Sequence, residues 1–129
     1  MTYWRFLDFV DANGVNLIQE WLWKQPLKAR LSIHAKIRYL EVSRQLKRPH
    51  TGKLHGECDG LYEIVTEAQN VQYRPIFCHG PGKKDITILI GAKEIGGRLD
   101  PLSACKTAHS RRNVIALPGR TCDHSFAEP

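Results

Sequence analysis

The chain has 129 residues, 42% of them hydrophobic and 25% charged, and its 19 Lys+Arg against 13 Asp+Glu give a formal net charge of +6. That length supports one buried core rather than two, and the composition excludes collagen-like, low-complexity and intrinsically disordered chains. The positive balance points toward a polyanionic partner: nucleic acid, an anionic membrane surface or an acidic protein.

In chain order, the opening MTYWRFLDFVDANG is interrupted by Arg5, Asp8 and Asp11. It suits neither a secretory h-region nor a membrane span, so a cytoplasmic protein without a membrane partner is expected. YWRFLDFV, residues 3–10, predicts a first strand closed by the Asn13-Gly14 turn signal. NLIQEWLWKQ predicts a short helix that Pro26 interrupts, and Pro26 then suits the first turn of a long helix running to Pro49. On that helix Leu27, Leu31, Ala35, Tyr39, Val42 and Leu46 form one apolar seam, and Ile33, Ile37 and Leu40 form another nearly opposite. Two seams predict packing on two sides, either wholly within the monomer or with one seam left for a partner protein.

LYEIVTEA, VQYRPIFCH and DITILIGAK predict a three-stranded meander, with Pro75 at an edge, a bulge or a non-bonded position. Asp100-Pro101 predicts the N-cap and first turn of a closing helix over about residues 101–116. The order β-α-α-β-β-β-α, with a small and mainly antiparallel sheet, is an α+β domain over residues 1–117. Residues 118–129 read as a flexible tail.

Most familiar catalytic and binding motifs fail on spacing. Gly80-Pro81-Gly82-Lys83-Lys84 lies between two strands, whereas a phosphate loop needs a longer glycine spacing and a following helix. His55-Gly56-Glu57 has the His-x-Glu form of zinc deaminases without their Pro-Cys-x-x-Cys partner. His55, Cys58, Cys78 and His79 have no spacing that demands a metal, so no metal or other cofactor is expected. The four cysteines are expected to be mostly buried free thiols, as befits a reducing compartment.

The basic residues are more informative. Lys47, Arg48 and Lys53 precede the meander, Arg74 lies within it, Lys83 and Lys84 occupy its turn, and Lys93 and Arg98 follow. Cations around one sheet suit an RNA backbone and the charge that builds when a ribose 2′-oxygen attacks its phosphate. That reaction also needs a base and an acid, and His55, His79 and His109 are the residue types that titrate near neutrality. Arg74, between Tyr73 and Pro75, requires solvent, a carboxylate such as Glu63, or a ligand.

Taken together, Leu61-Tyr62-Glu63-Ile64, Tyr73-Arg74-Pro75-Ile76, the hairpin, ILIGAKEIGG, and Ala104, Thr107, Ala108, Arg111 and Arg112 resemble the RelE/ParE toxin superfamily. The similarity covers about residues 3–116 and is densest over 54–112. It is nearest to the phage-derived, HigB-like branch of type II toxin–antitoxin modules.

The resemblance implies a RelE-like fold and a metal-independent, ribosome-dependent mRNA endoribonuclease that inhibits translation. It implies a cognate antitoxin, often a helix-turn-helix protein, and operator DNA bound through the toxin–antitoxin complex. Carried onto this chain, it makes Arg74 the phosphate and transition-state cation. Residue type adds His55 or His109 for proton transfer, and the charge pattern adds Lys53, Lys83, Lys84, Lys93 and Arg98 as RNA contacts. The chain departs from the pattern at Val65, where many members of the superfamily carry Arg, and at Glu94 and Ile95, where many carry a Lys pair. Those departures keep two alternatives open: a non-enzymatic, ParE-like gyrase inhibitor, and a degenerate module protein that binds only antitoxin and DNA.

Overall fold

Each of the three long apolar segments between residues 61 and 95 bends at its middle and serves two sheets. The computed structural model describes the whole chain, Met1–Pro129. Its elements are β1 (Arg5–Phe9), α1 (Leu17–Trp23), α2 (Leu27–Glu41), β2 (Thr51–Lys53), β3 (Tyr62–Ile64), β4 (Thr66–Ala68), β5 (Val71–Tyr73), β6 (Ile76–His79), β7 (Asp85–Ile90), β8 (Lys93–Ile95), β9 (Arg98–Asp100), α3 (Ala104–Arg112) and β10 (Thr121–Asp123). A 3-10 turn at Gly56–Cys58 precedes β3. The α+β class holds, but the simple order β-α-α-β-β-β-α does not.

The larger sheet runs β10-β1-β7-β6-β3-β2 and the smaller β4-β5-β8-β9. Val65 separates β3 from β4, Arg74-Pro75 separates β5 from β6, and Gly91-Ala92 separates β7 from β8. At the second break Pro75 has no N–H to give a ladder, while its carbonyl accepts from Ile64 N–H at 2.8 Å. At the third, a Cβ on Gly91 would stand 1.9 Å from Trp21 Cδ2, so the close approach of the α1 indole requires glycine. Gln69 and Asn70, both at positive φ (51° and 65°), make the tight turn from β4 to β5.

β1 pairs parallel with β7, and all other pairings between named strands are antiparallel. Ladder partners share a face, so Phe6, Ile86, His79, Phe77 and Tyr62 lie on one side of the larger sheet. α2 covers that side. Its final carbonyl, of Glu41, accepts from Tyr3 N–H (2.7 Å) and Trp4 N–H (3.3 Å), and Ser43 O accepts from the Trp4 indole at 2.9 Å. α3 lies against β6 and β7, with Arg111 stacked 5.2 Å from the Phe9 ring centroid. One hydrophobic cluster of 23 buried residues unites these layers. No helix is long and apolar enough to cross a membrane.

The helices are shorter than the periodicity predicts. α2 ends at Glu41, and the chain turns from there toward β2. Of its two seams only Ile33, Ile37 and Leu40 are buried, while Leu27, Leu31, Tyr39 and Val42 stay exposed. α3 begins after Ser103, because Asp100 closes β9 and Pro101 belongs to the following turn.

Residues 118–129, expected as a flexible tail, instead add β10 to the sheet edge. The physical reason is Asp8, a fully buried carboxylate on β1 that needs partners. His124 Nδ1–H donates to Asp8 Oδ1 at 2.6 Å, and Ser125 N–H and Asn16 Nδ2–H donate to Oδ2 at 3.1 and 2.9 Å. His34 of α2 extends the chain, its Nδ1 lying 3.2 Å from His124 Nε2. Burial, and then the neighbouring His124, hold the His34 pKa below its ordinary value.

The cysteines also depart from expectation. Cys58 of the 3-10 turn and Cys105 of α3 have Cα atoms 5.0 Å apart and form a disulfide. Cys78 and Cys122 are free, the first buried and the second exposed.

Candidate nucleic-acid interface

At the end of the larger sheet that α2 leaves uncovered, three strands present aromatic rings together. Trp4 leads into β1, Tyr62 opens β3 and His79 closes β6. The His79 ring lies edge-on to Trp4 (centroids 5.6 Å apart) and to Tyr62 (5.2 Å), and Tyr62 stacks on the buried Phe77 at 5.5 Å. Strand alternation produces this grouping: Phe77 and His79 are two apart on β6, and Tyr62 stands opposite Phe77. Packing against these rings desolvates the imidazole and lowers its pKa, although His79 is an exposed residue. Its neutral form, which has a ring nitrogen to accept a proton, is thereby favoured.

Cations frame the rings. The turn between β6 and β7 is fastened by Asp85, whose carboxylate accepts from Gly82 N–H at 2.8 Å and pairs with Arg5 Nε at 3.1 Å. This is a hairpin tip, and it exposes Lys83 and Lys84. Lys84 Nζ stands 5.2 Å from the Trp4 ring centroid, a cation–π contact. On the far side, exposed Lys53 is the ladder partner of Tyr62. Rings with interleaved ammonium groups can bind single-stranded nucleic acid: bases stack on the rings, and phosphates pair with the cations.

The other residues singled out from the sequence lie elsewhere. Arg74 is 9% exposed and joins the two sheets. Its backbone N–H reaches Ala92 O, its Nη1 donates to Thr66 O (2.9 Å) and Tyr73 O (2.8 Å), and its Nη2 donates to Gln72 Oε1 (2.8 Å). Its Nε lies 3.8 Å from Glu94 Oε1, so this carboxylate partly balances the buried charge. Glu63 feels Arg74 as well: burial raises its pKa, and the guanidinia of Arg74 and Arg48 oppose the rise. The geometry thus gives Arg74 an architectural task, with nearly all its donors occupied.

His109 is similarly committed. Its Nε2–H donates to Glu57 O at 2.8 Å and its Nδ1 accepts from Arg112 Nη2 at 3.0 Å, so neither ring nitrogen is free in this arrangement. Arg112 also donates to Gly60 O at 3.2 Å, and with the Cys58–Cys105 disulfide these bonds clamp the 3-10 turn to α3. His55, exposed, caps that turn and is not part of the aromatic group. Lys93 and Arg98 belong to the smaller sheet, where Lys93 Nζ sits 5.8 Å from the Tyr73 ring. Of the expected RNA contacts, the structure gathers Lys53 and Lys84, with Lys83 beside them, around residues that charge counting overlooks. Tyr62 and Trp4 had a readable signal, as aromatic residues at strand ends, but only the register brings them together.

The fold and the site together define a small basic α+β domain that carries a cation-framed aromatic face. The chain itself is a member of the phage-derived protein Gp49-like family (DUF891), which it matches over residues 20–113. No curated protein and no solved structure matches it.

Proposed function

We propose that this Gp49-like protein is the toxin of a type II toxin–antitoxin module, of the HigB-like branch of the RelE/ParE superfamily. In this reading it cleaves mRNA in the ribosome, acts in the cytoplasm, and is neutralised by a cognate antitoxin that also carries it to operator DNA. The phage-derived family membership and the resemblance of residues 54–112 support the class. The observation that carries the RNA reading is His79 set between Trp4 and Tyr62, with Lys84 over Trp4.

A base stacked at Trp4 or Tyr62 brings its ribose beside His79, and Lys84, Lys83 and Lys53 hold the flanking phosphates. His79 takes the proton of the 2′-OH, and the 2′-oxygen attacks phosphorus. The bond to the 5′-oxygen breaks, and that oxygen leaves with a proton from solvent, giving a 2′,3′-cyclic phosphate and a 5′-OH end. The lysine ammonium groups stabilise the charge on the pentacovalent phosphorus oxygens. Arg74 acts as a positioning residue that fixes the break between β5 and β6, and hence the place of His79.

The occupied donors of Arg74 and the occupied nitrogens of His109 favour a second reading, a binder without nuclease activity such as a gyrase inhibitor. Purified protein incubated with programmed ribosomes and 5′-labelled mRNA separates the two. Cleavage by the wild type, reduced at least tenfold in folded His79→Gln and Lys84→Ala variants, supports the ribonuclease. Intact mRNA together with inhibited DNA supercoiling by gyrase supports the alternative.

A further inference from the structure

Most of the second apolar seam of α2 stays exposed along the helix. Leu27 is 52% exposed, Leu31 53%, Tyr39 50% and Val42 53%, and Ala35 between them is exposed too. The opposite face, with Ala29, Ile33, Ile37 and Leu40, is buried. From Leu27 to Val42 the stripe runs about 22 Å, the length of four helical turns. Isolated exposed leucines are ordinary, but a continuous stripe along a whole helix marks an interaction surface.

Charge identifies the occupant. At the helical angle Lys28 and Arg38 fall within the stripe, and residues 27–40 contain no Asp or Glu. Beyond Val42 the stripe opens into a groove of about 540 Å³ whose walls include Tyr39, Val42, Arg44, Lys47 and His50. Lys36 Nζ lies 2.8 Å from His50 Nδ1, and the Tyr39 and His50 rings lie 4.4 Å apart, so this wall is fixed in place. A second copy of the chain would set these cations against themselves. Leu27, Leu31 and Val42 offer no plane on which a base can stack, and the one aromatic ring of the stripe, Tyr39, already packs against His50. A concave slot at one end suits an inserted side chain better than a flat lipid surface.

We propose that α2 docks an amphipathic helix of a partner protein, with apolar residues at i, i+3 or i+4, and i+7 against the stripe and Asp or Glu residues flanking them. One large side chain of that helix enters the groove beside Tyr39 and Val42. The proposal stands on this surface alone and does not need the ribonuclease reading.

The test is a selection of helical peptides from a displayed random library against the folded full-length protein. Enriched peptides are synthesised and their binding measured by fluorescence anisotropy with wild type, Leu31→Glu, Val42→Glu and Lys28→Glu/Arg38→Glu. All four substituted residues are exposed, Arg38 while stacked 3.8 Å from the Phe126 ring centroid, and melting curves verify that each variant is folded. The expected result is enrichment of acidic amphipathic sequences whose affinity falls at least tenfold in each variant. Peptides without acidic residues, peptides that bind Leu31→Glu as tightly as wild type, or no enriched peptide would each overturn the proposal. So would a wild-type dimer that Leu31→Glu dissociates in sedimentation, which assigns the stripe to a second copy. Stripe-dependent binding to phosphatidylserine vesicles without peptide binding would assign it to a membrane.

Discussion

Replacing Arg74 by Ala tests whether this residue is architecture or chemistry. The substitution removes three hydrogen bonds from a charged donor, two of them to the carbonyls of Thr66 and Tyr73, takes the Arg74 cation away from Glu94, and leaves Glu63 with Arg48 alone. Bonds from charged groups contribute about 1.5–3 kcal/mol each, but they are not additive and water re-enters the site. The net loss expected is about 3–5 kcal/mol, set by stranding two buried carbonyls at about 1–3 kcal/mol each, while the exposed Glu94 adds little. Total stabilities run about 5–15 kcal/mol, so this loss is a large fraction of the whole. At roughly 4 °C per kcal/mol for a chain of this length, the melting temperature falls by about 12–20 °C. Urea unfolding followed by circular dichroism measures it, with the midpoint shifted and the slope unchanged. An Arg74→Ala protein within about 0.5 kcal/mol of wild type that no longer cleaves RNA would refute the architectural assignment and return Arg74 to the chemistry.

Glu63 has its pKa raised chiefly by burial, so its ionised form is disfavoured in the folded state and wild-type stability declines as pH rises from about 4.5 through the folded pKa. Glu63→Gln removes that decline, so its stability relative to wild type should improve as pH rises through this window; a difference that stays flat contradicts the assignment. Gly91→Ala places a methyl group 1.9 Å from the Trp21 indole and should cost about 1–3 kcal/mol or more, with a changed Trp fluorescence spectrum. The Cys58–Cys105 disulfide spans a sequence separation of 47, for which loop closure predicts up to about 4 kcal/mol. Reduction, or Cys58→Ser/Cys105→Ser, should lower the unfolding midpoint accordingly, and an unchanged midpoint would show that the bond adds nothing.

Local patterning revealed the elements better than their ends. Tyr-Arg-Pro-Ile and Ile-Leu-Ile-Gly-Ala-Lys each read as one strand, because period-two alternation says nothing about a bend. The breaks come from Pro75, which cannot donate, and from Gly91, which accommodates Trp21 of α1. The tail was illegible for a similar reason: His124 matters only because a buried Asp8 lies 116 residues away and needs its proton. The two seams of α2 were visible in the sequence, whereas which of them is buried depends on the sheet beneath. For the candidate site, Lys53, Lys83 and Lys84 followed from charge, but their grouping with Trp4, Tyr62 and His79 depends on the parallel pairing of β1 with β7. Arg74 drew attention as a charge inside a strand, and its partners across the two sheets explain it without a ligand.

The central claim is that the face formed by Trp4, Tyr62, His79 and Lys84 cleaves mRNA. Primer extension on total cellular RNA after a short pulse of expression tests it most directly. New 5′ ends within translated regions are predicted for the wild type, with at least a tenfold loss of those ends in folded His79→Gln and Lys84→Ala. Wild-type expression that yields no new ends, or variants that cut as the wild type does, would contradict it.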